Sequence, residues 1–364
     1  LNGYKTLALG KISHHPGGLT GAGWAEGPEE LPNAWDRAWV PKSPWINPVS
    51  MMHGYANGVA RIPGKSPPME SQEGPDSLYP DAWVADEALA TLEQLASQKE
   101  PWFFAVGFFK PHLPFAAPQR WHAMHEDSIP ALSPDAARKP AWPSGWHASG
   151  EFRGNYGHPA GQDPENDAEY AKTIRTAYAA CVSYMDAQVG KVLSALDKHA
   201  LSANTIVVLW SDHGFLLGEH AIWGKHCLYD RAVQSPLIIR VPNLYQAGVP
   251  CDAVVETIDV MPTLLDLCSI SPTQPPAGKS LRPQLENPAK LTDKPAYSFW
   301  NGHVRSIRTD RWRLIAQQKP NEPASRLELF DYQTDPLETT NVALENPDVV
   351  QELAQLLEQM PALK

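Results

Sequence analysis

Asp212 and His213 follow an apolar, β-branched run, Thr205-Ile206-Val207-Val208-Leu209-Trp210, and precede Gly214. The run reads as a buried strand that delivers polar groups at its carboxyl end, where ligands sit in open α/β sheets. Adjacent residues on a strand face opposite ways, so a glycine-assisted bend is needed to turn a carboxylate and an imidazole toward one ion. Gly218 and Gly224 keep the following loop bendable, which lets Lys225 fold back toward the same place. The competing reading is an Asp-Gly-type turn with solvated histidines.

Two further strands end in the same kind of chemistry. Tyr4–Ile12 runs into a polar turn carrying Lys11 and His14, and the continuous apolar run Trp102–Phe109 ends in Lys110-Pro111-His112-Leu113-Pro114. The lack of alternation in Trp102–Phe109 predicts a buried parallel strand, and its prolines stiffen the turn that aims the imidazole. Each turn taken singly also reads as ordinary surface. Together the three predict a cationic pocket along one sheet edge, suited to a tetrahedral oxyanion whose charge grows in the transition state. Lysines supply point charges, histidines can protonate a leaving oxygen, and Asp212 is an oxygen ligand for a hard divalent cation.

The elements that must position these groups alternate. Asp81–Ser97 reads as an amphipathic helix with Trp83, Val84, Ala88, Leu92 and Leu95 on its apolar face. Asp167–His199 is the clearest helix, with Tyr170, Ile174, Tyr178, Cys181, Met185, Val189, Val192 and Leu196 on one stripe. Ser235–Val241 reads as a strand, and Val254–Leu267 as a helix that Pro262 either kinks or restarts. A Pro-rich linker spans Pro272–Pro295. Short alternating strands over Ser306–Ala316 and Glu328–Asp331 and a closing helix over Pro347–Leu363 follow. Residues 21–80 and 126–166 are rich in Pro, Gly and Trp; the first is too long for an ordinary connection, and its aromatics argue against disorder. This order predicts an α/β main domain and a smaller α+β appendage.

The composition narrows the function. With 30 basic against 41 acidic residues, attraction to nucleic acid is disfavoured, and an anionic substrate must be captured locally. No apolar run approaches the ~20 residues of a membrane span. Cys181, Cys227, Cys251 and Cys268 form no Cys-x-x-Cys pair and no zinc-ribbon spacing, which leaves the redox compartment open. Thirteen Trp and 36 Pro imply long ordered loops, some of whose tryptophans could stack on sugars.

Several stretches in order resemble type I sulfatases of the alkaline phosphatase superfamily, in the iduronate-2-sulfatase-like branch. They are G-K-I-S-H at 10–14, A-V-G-F-F-K-P-H-L-P-F at 105–115, S-Y-M-D-A-Q-V-G-K-V-L at 183–193, S-D-H-G-F-L-L-G-E-H at 211–220 and W-G-K at 223–225. S-I-R-T-D-R-W-R-L at 306–314 and E-L-F-D-Y-Q-T-D-P-L-E-T-T-N at 328–341 match the family's small domain. The resemblance implies an alkaline phosphatase-like sheet flanked by helices over residues 1–290 and a C-terminal α+β subdomain over 291–364. It implies a calcium site completed by Asp212 and His213, sulfate contacts from Lys225 and His112, with His112 able to protonate the leaving alcohol, and a nucleophile held by Lys11 and His14. Lys110, Phe215 and His303 are candidates for substrate contact, as is Trp300. The implied partner is a sulfated carbohydrate or small sulfate ester, with neither nucleic acid nor membrane, and the implied location is exported.

The family's nucleophile is a formylglycine made in a Cys/Ser-x-Pro/Ala-x-Arg motif preceded by an Asp pair. None of the four cysteines has that context; Cys227, for example, is followed by Leu-Tyr-Asp-Arg. In the family both elements precede the segment matching Gly10–His14, so the expectation is a downstream portion of a sulfatase, inactive alone, whose calcium site is incomplete without the upstream Asp pair. Two alternatives stay open: a non-catalytic homologue that binds sulfated glycan, and a related phosphodiester or phosphonate hydrolase.

Overall fold

The structure is a computed structural model that describes residues 2–13, 31, 33–41, 45, 49–137, 150–300, 304–317 and 325–359. These fall into two compact units, one formed by residues 1–131 with 150–204, the other by 132–149 with 205–364. The expected roles of His14 and His303 lie outside the described residues.

In the first unit, β1 (Lys5–Gly10), β2 (Arg37–Trp39) and β4 (Trp102–Gly107) form a parallel sheet in the order β2-β1-β4. β4 is parallel, as its composition predicts, but half-buried rather than buried, with Phe103 41% exposed. A second parallel pair joins β3 (Met69–Gln72) to β5 (Phe115–Pro118). Short helices α1 (Val49–His53), α3 (Gln119–Ala123) and α5 (Gly150–Arg153) occupy the loop-rich stretches.

Two long helices support the sheet. α2 (Pro80–Ala96) starts with proline at its first position and buries Trp83, Val84, Ala88, Leu92 and Leu95, the face its spacing predicts. With Leu9, Trp45, Met51, Met52 and Phe109, the first three of these form a core, in which Trp45 meets Trp83 edge-to-face at 5.1 Å. α6 (Ala168–Lys198) is capped by Asp167, whose side chain accepts from the Tyr170 N–H at 3.0 Å. The Tyr184 hydroxyl on α6 accepts from the Ala82 N–H at 2.9 Å, satisfying a donor of the first turn of α2 that has no partner within its own helix.

In the second unit, after the short helix α4 (Pro134–Ala137), β6 (Val207–Trp210) pairs antiparallel with β9 (Leu237–Arg240). The expected buried strand is half-buried, and Trp210 is 48% exposed. Between them lie the hairpin β7 (Leu216–Leu217) and β8 (Trp223–Gly224) and the turn α7 (Asp230–Val233). The helix expected over Val254–Leu267 is shorter: residues 254–256 are not helical, a 3-10 turn spans Thr257–Asp259, and Pro262 sits in the first turn of α8 (Val260–Leu267), where its missing N–H costs nothing, close to the restart expected of it. The Pro-rich stretch that follows carries α9 (Arg282–Glu286).

The last strands are β10 (Ala296–Trp300), β11 (Val304–Arg308), β12 (Trp312–Gln317) and β13 (Ser325–Asp331), one antiparallel sheet in sequential order. α10 (Pro347–Glu358) covers one face through Leu353 and Leu357, which pack with Ile307, Leu314 and Leu329. Around Ile315 and Phe330 a separate core gathers Leu216, Ile222, Cys227, Leu228, Tyr229 and Ala232. The hairpin and its flanks are thereby fixed to the C-terminal sheet.

Candidate functional site

In the first unit, Lys11 and the Lys110–Pro114 turn leave the carboxyl ends of neighbouring strands. Gly10 and Gly107 are partners in the register. The Lys11 N–H donates to the Gly107 carbonyl at 2.9 Å. A Cβ on Gly107 would stand 1.9 Å from the Lys11 carbonyl oxygen, and one on Gly10, at φ +78°, 2.2 Å from the Gly107 carbonyl oxygen. Only a glycine pair allows the two strand ends to approach this closely.

The turn itself is anchored by Asp81, which has no exposed surface. Its carboxylate accepts the Phe109 N–H at 2.7 Å and the Lys110 N–H at 3.0 Å. Burial pushes its pKa up to about 6, against the lowering effect of those two N–H groups and of the Lys110 and Lys11 charges. Lys110 is 6% exposed, and its ammonium donates to the Pro114 carbonyl at 2.6 Å and the His112 carbonyl at 3.3 Å. The expected substrate contact thus has its charge committed to holding the turn. Burial lowers its pKa. Cys181 is buried beside these groups and its thiol is pushed up to about 12 by burial, in keeping with an inert core cysteine.

His112 supplies the turn's imidazole, and its side chain is largely buried. Its Nδ1 lies 2.7 Å from the Leu113 carbonyl oxygen, an acceptor only, so Nδ1 carries hydrogen and donates. The His53 ring packs against it at 5.0 Å between centroids and 64° between planes. His53 is lowered to about 4, chiefly by burial and then by the Arg61 charge, and stays neutral near pH 7. Sequence reasoning missed Asp81 as an anchor, and also His53. Asp81 stands where a first-turn helix acid is ordinary, and its partners come from a distant loop.

In the second unit, the bend after β6 presses Gly214 against α7: its N–H donates to the Ala232 carbonyl at 2.8 Å, and a Cβ there would meet the Arg231 carbonyl oxygen at 2.1 Å. The expected glycine-assisted bend is therefore present. His213 Nδ1 donates to the Gly214 carbonyl at 2.8 Å, which leaves Nε2 as the lone-pair nitrogen in the neutral ring. That Nε2 lies 3.6 Å from Asp212 Oδ2, with the two side chains 38% and 64% exposed. Bend and tautomer aim a carboxylate oxygen and an imidazole lone pair at neighbouring space, a donor pair that fits one side of a divalent cation.

Lys225 is brought back by the β7–β8 hairpin. Leu216 pairs with Gly224, so Lys225 is next in register to Phe215, close along the chain to His213. Gly218, at φ +110°, forms the reversal. The His226 ring packs at a tilt of 33° against Trp300, 4.9 Å between centroids. His220 is a core residue, stacked on Tyr229 at 4.0 Å and lowered to about 4 by burial. Beneath the hairpin, buried Arg313 pairs with Asp230 and, at 2.6 Å, with Glu338. The C-terminal sheet thus anchors the segment that follows Lys225.

Comparisons with known proteins identify the family. A family model described as Sulfatase matches residues 2–270, and one described as N-sulphoglucosamine sulphohydrolase, C-terminal, matches residues 218–364. A sulfatase of Formosa agariphila is 32% identical over 353 residues, 94% of this chain and 64% of that protein. Iduronate 2-sulfatase of Mus musculus is 32% identical over 255 residues, 66% of this chain and 44% of that enzyme. This chain therefore spans about half to two thirds of the length of these relatives. The phosphonate monoester hydrolase of Agrobacterium radiobacter has the same fold, at a TM-score of 0.73 and 21% identity over 98% of this chain and 77% of that one. A protein solved with its substrate D-glucosamine-2-N,6-O-disulfate superposes at 0.70 and 21% identity, over 98% of this chain and 79% of that one. The fold is the mixed α/β architecture of these hydrolases, and the chain belongs to the sulfatase family.

Proposed function

We propose that the protein containing this chain hydrolyses sulfate esters on a sulfated sugar, in the manner of the iduronate-2-sulfatase-like branch, with the nucleophile supplied by sequence outside these 364 residues. The observation that carries this reading is the sulfatase family match over residues 2–270, which takes in Lys11, His112, Asp212, His213 and Lys225. In this reading Lys225 offsets charge on the sulfate oxygens, and His112 donates a proton to the leaving alcohol. Lys11, with His14, holds the nucleophile. Phe215, Trp300 and His303 are the candidates for contact with the sugar. Asp212 and His213 hold one side of a calcium ion, which when bound supplies Lewis acidity toward a sulfate oxygen.

The donor pair fits calcium only in part. Calcium takes about 6–8 mainly oxygen ligands, and no group of three or more His, Cys, Asp or Glu side chains gathers as a metal site among the described residues. The upstream Asp pair expected from the resemblance would add further oxygens. Among the described residues no helix is long and apolar enough to cross a membrane. The family resemblance supports an exported enzyme.

The test is turnover of paired aryl sulfate, phosphate and phosphonate esters by the longest natural protein that contains this chain. Preference for the sulfate, lost in Lys225→Ala and His112→Ala, is the expected result. Preference for the phosphonate would assign the protein to the related hydrolases, and binding of sulfated glycan without turnover would make it a non-catalytic homologue.

A further inference from the structure

His112 is bracketed by side chains that its own motif does not contain. Its Nε2 lies 4.0 Å from Glu151 Oε1, with the two side chains 9% and 20% exposed. Glu151 comes from α5. On the far side stands His53, from α1. Because Nδ1 already donates to the Leu113 carbonyl, a second ring proton must sit on Nε2, near the Glu151 carboxylate but, at 4.0 Å, beyond hydrogen-bond range of it, so that proton stays available to donate.

We propose that Glu151 is a positioning residue for His112, its carboxylate holding a proton on Nε2 and so keeping the imidazole in its donating form. The proposal rests on the reading of His112 as the acid that protonates the leaving alcohol. The cationic groups around the ring work against a proton there. Lys110 places its ammonium 3.3 Å from the His112 carbonyl oxygen. Arg61, whose guanidinium lies over the Tyr156 ring at 5.3 Å, acts with Lys110 to lower neighbouring His53. Neutral His53 contributes a wall without repulsion. Asp81 is buried under the turn with its oxygens on the Phe109 and Lys110 N–H groups. Glu151 thus places a carboxylate near Nε2 of the ring. An opposite charge at this range favours the charged form of its neighbour.

The experiment is an NMR titration of histidine-labelled 364-residue chain, with the His112 signal identified by its loss in His112→Asn. Glu151→Gln should lower the His112 midpoint by about one pH unit. Glu151→Asp, which keeps the charge on a shorter arm, should fall between the variant and the parent. An unchanged midpoint in Glu151→Gln would overturn the proposal; should that variant not fold, a Glu151→Asp midpoint equal to the parent's would do so. In the longer protein, Glu151→Gln should move the alkaline limb of kcat/KM downward by the same amount with KM for the sulfate ester unchanged. Absence of sulfate turnover would end the proposed function but leave the titration to decide the Glu151 contact by itself.

Discussion

The Lys110–Pro114 turn and the Asp212–Gly214 bend carry similar residue types but are built differently. The first rests on a fully buried carboxylate: Asp81 fixes two backbone N–H groups, and the Lys110 ammonium is spent on two carbonyls. The second has its carboxylate 64% exposed and its imidazole 38% exposed, fixed by backbone contacts to Gly214 and Ala232. Buried charge in one makes it a structural element whose loss damages the fold. Exposed charge in the other is cheaper to remove.

The sharpest way to break that contrast is a pair of truncations. Asp81→Ala strands two buried N–H groups and takes a carboxylate from buried Lys110, so it should destabilise the chain by about 3–5 kcal/mol. Asp212→Ala should stay within about 0.5 kcal/mol, as for a surface substitution. Urea unfolding followed by tryptophan fluorescence measures both. Equal losses would show that the exposed bend is as structural as the buried turn.

Acidification should sharpen it next. The folded pKa of His53, about 4, lies below the ordinary imidazole value of 6.5. Between those values the unfolded chain binds more protons, so this contribution is full above pH 6.5 and is lost as pH falls through 4. Asp81 opposes it: its pKa is raised from 3.8 to about 6, and its contribution declines as pH rises through that window. His53→Gln should therefore gain stability relative to the parent on going from pH 7 to pH 4, by on the order of 3 kcal/mol. Parallel pH profiles for the two proteins would refute this.

One device is common to both turns, and it should respond alike. A Cβ on Gly107 or on Gly214 would collide with a backbone carbonyl oxygen, at 1.9 and 2.1 Å. Each Gly→Ala change should cost about 1–3 kcal/mol, since backbone on both sides must shift. Thermal melts of the two variants test it, and a neutral Gly214→Ala would mean the bend is free to relax.

The sequence made the helices legible because their faces repeat. All five apolar positions assigned to α2 are buried, whereas of the stripe assigned to α6 Tyr170, Ile174, Cys181 and Leu196 are buried and Tyr178, Met185, Val189 and Val192 are only half-buried. The sequence located Lys11, His112, Asp212, His213 and Lys225 at strand ends and turns, because apolar runs stop abruptly there, but the single sheet edge it predicted does not form among the described residues: β1 and β4 share one parallel sheet, whereas β6 pairs with β9 in another. Burial was less legible. Val207–Trp210 has the composition of a buried strand, yet it is half-buried and antiparallel to β9. Continuous apolar composition does not report how many neighbours a strand has. Asp81, His53 and Glu151 were hidden for another reason: each meets the Lys110–Pro114 turn only through tertiary structure. The inward-turned Lys110 ammonium was hidden likewise, since a lysine next to a proline-rich turn reads as surface.

The smallest effect bears on the exposed bend alone. If Asp212 and His213 hold one side of a calcium site, added calcium should stabilise this chain weakly, by about 1 kcal/mol at five times its Kd. Two donors are far short of a full shell, so the Kd should be millimolar or weaker, as at the least demanding calcium sites. Melting curves with calcium and with magnesium, on the parent and on Asp212→Ala, isolate the effect, because the substitution itself costs little. The parent should rise with calcium and the variant should not. An equal rise in both would place the ion elsewhere on this acidic chain, whose net charge is −11, and would take Asp212 out of the metal role.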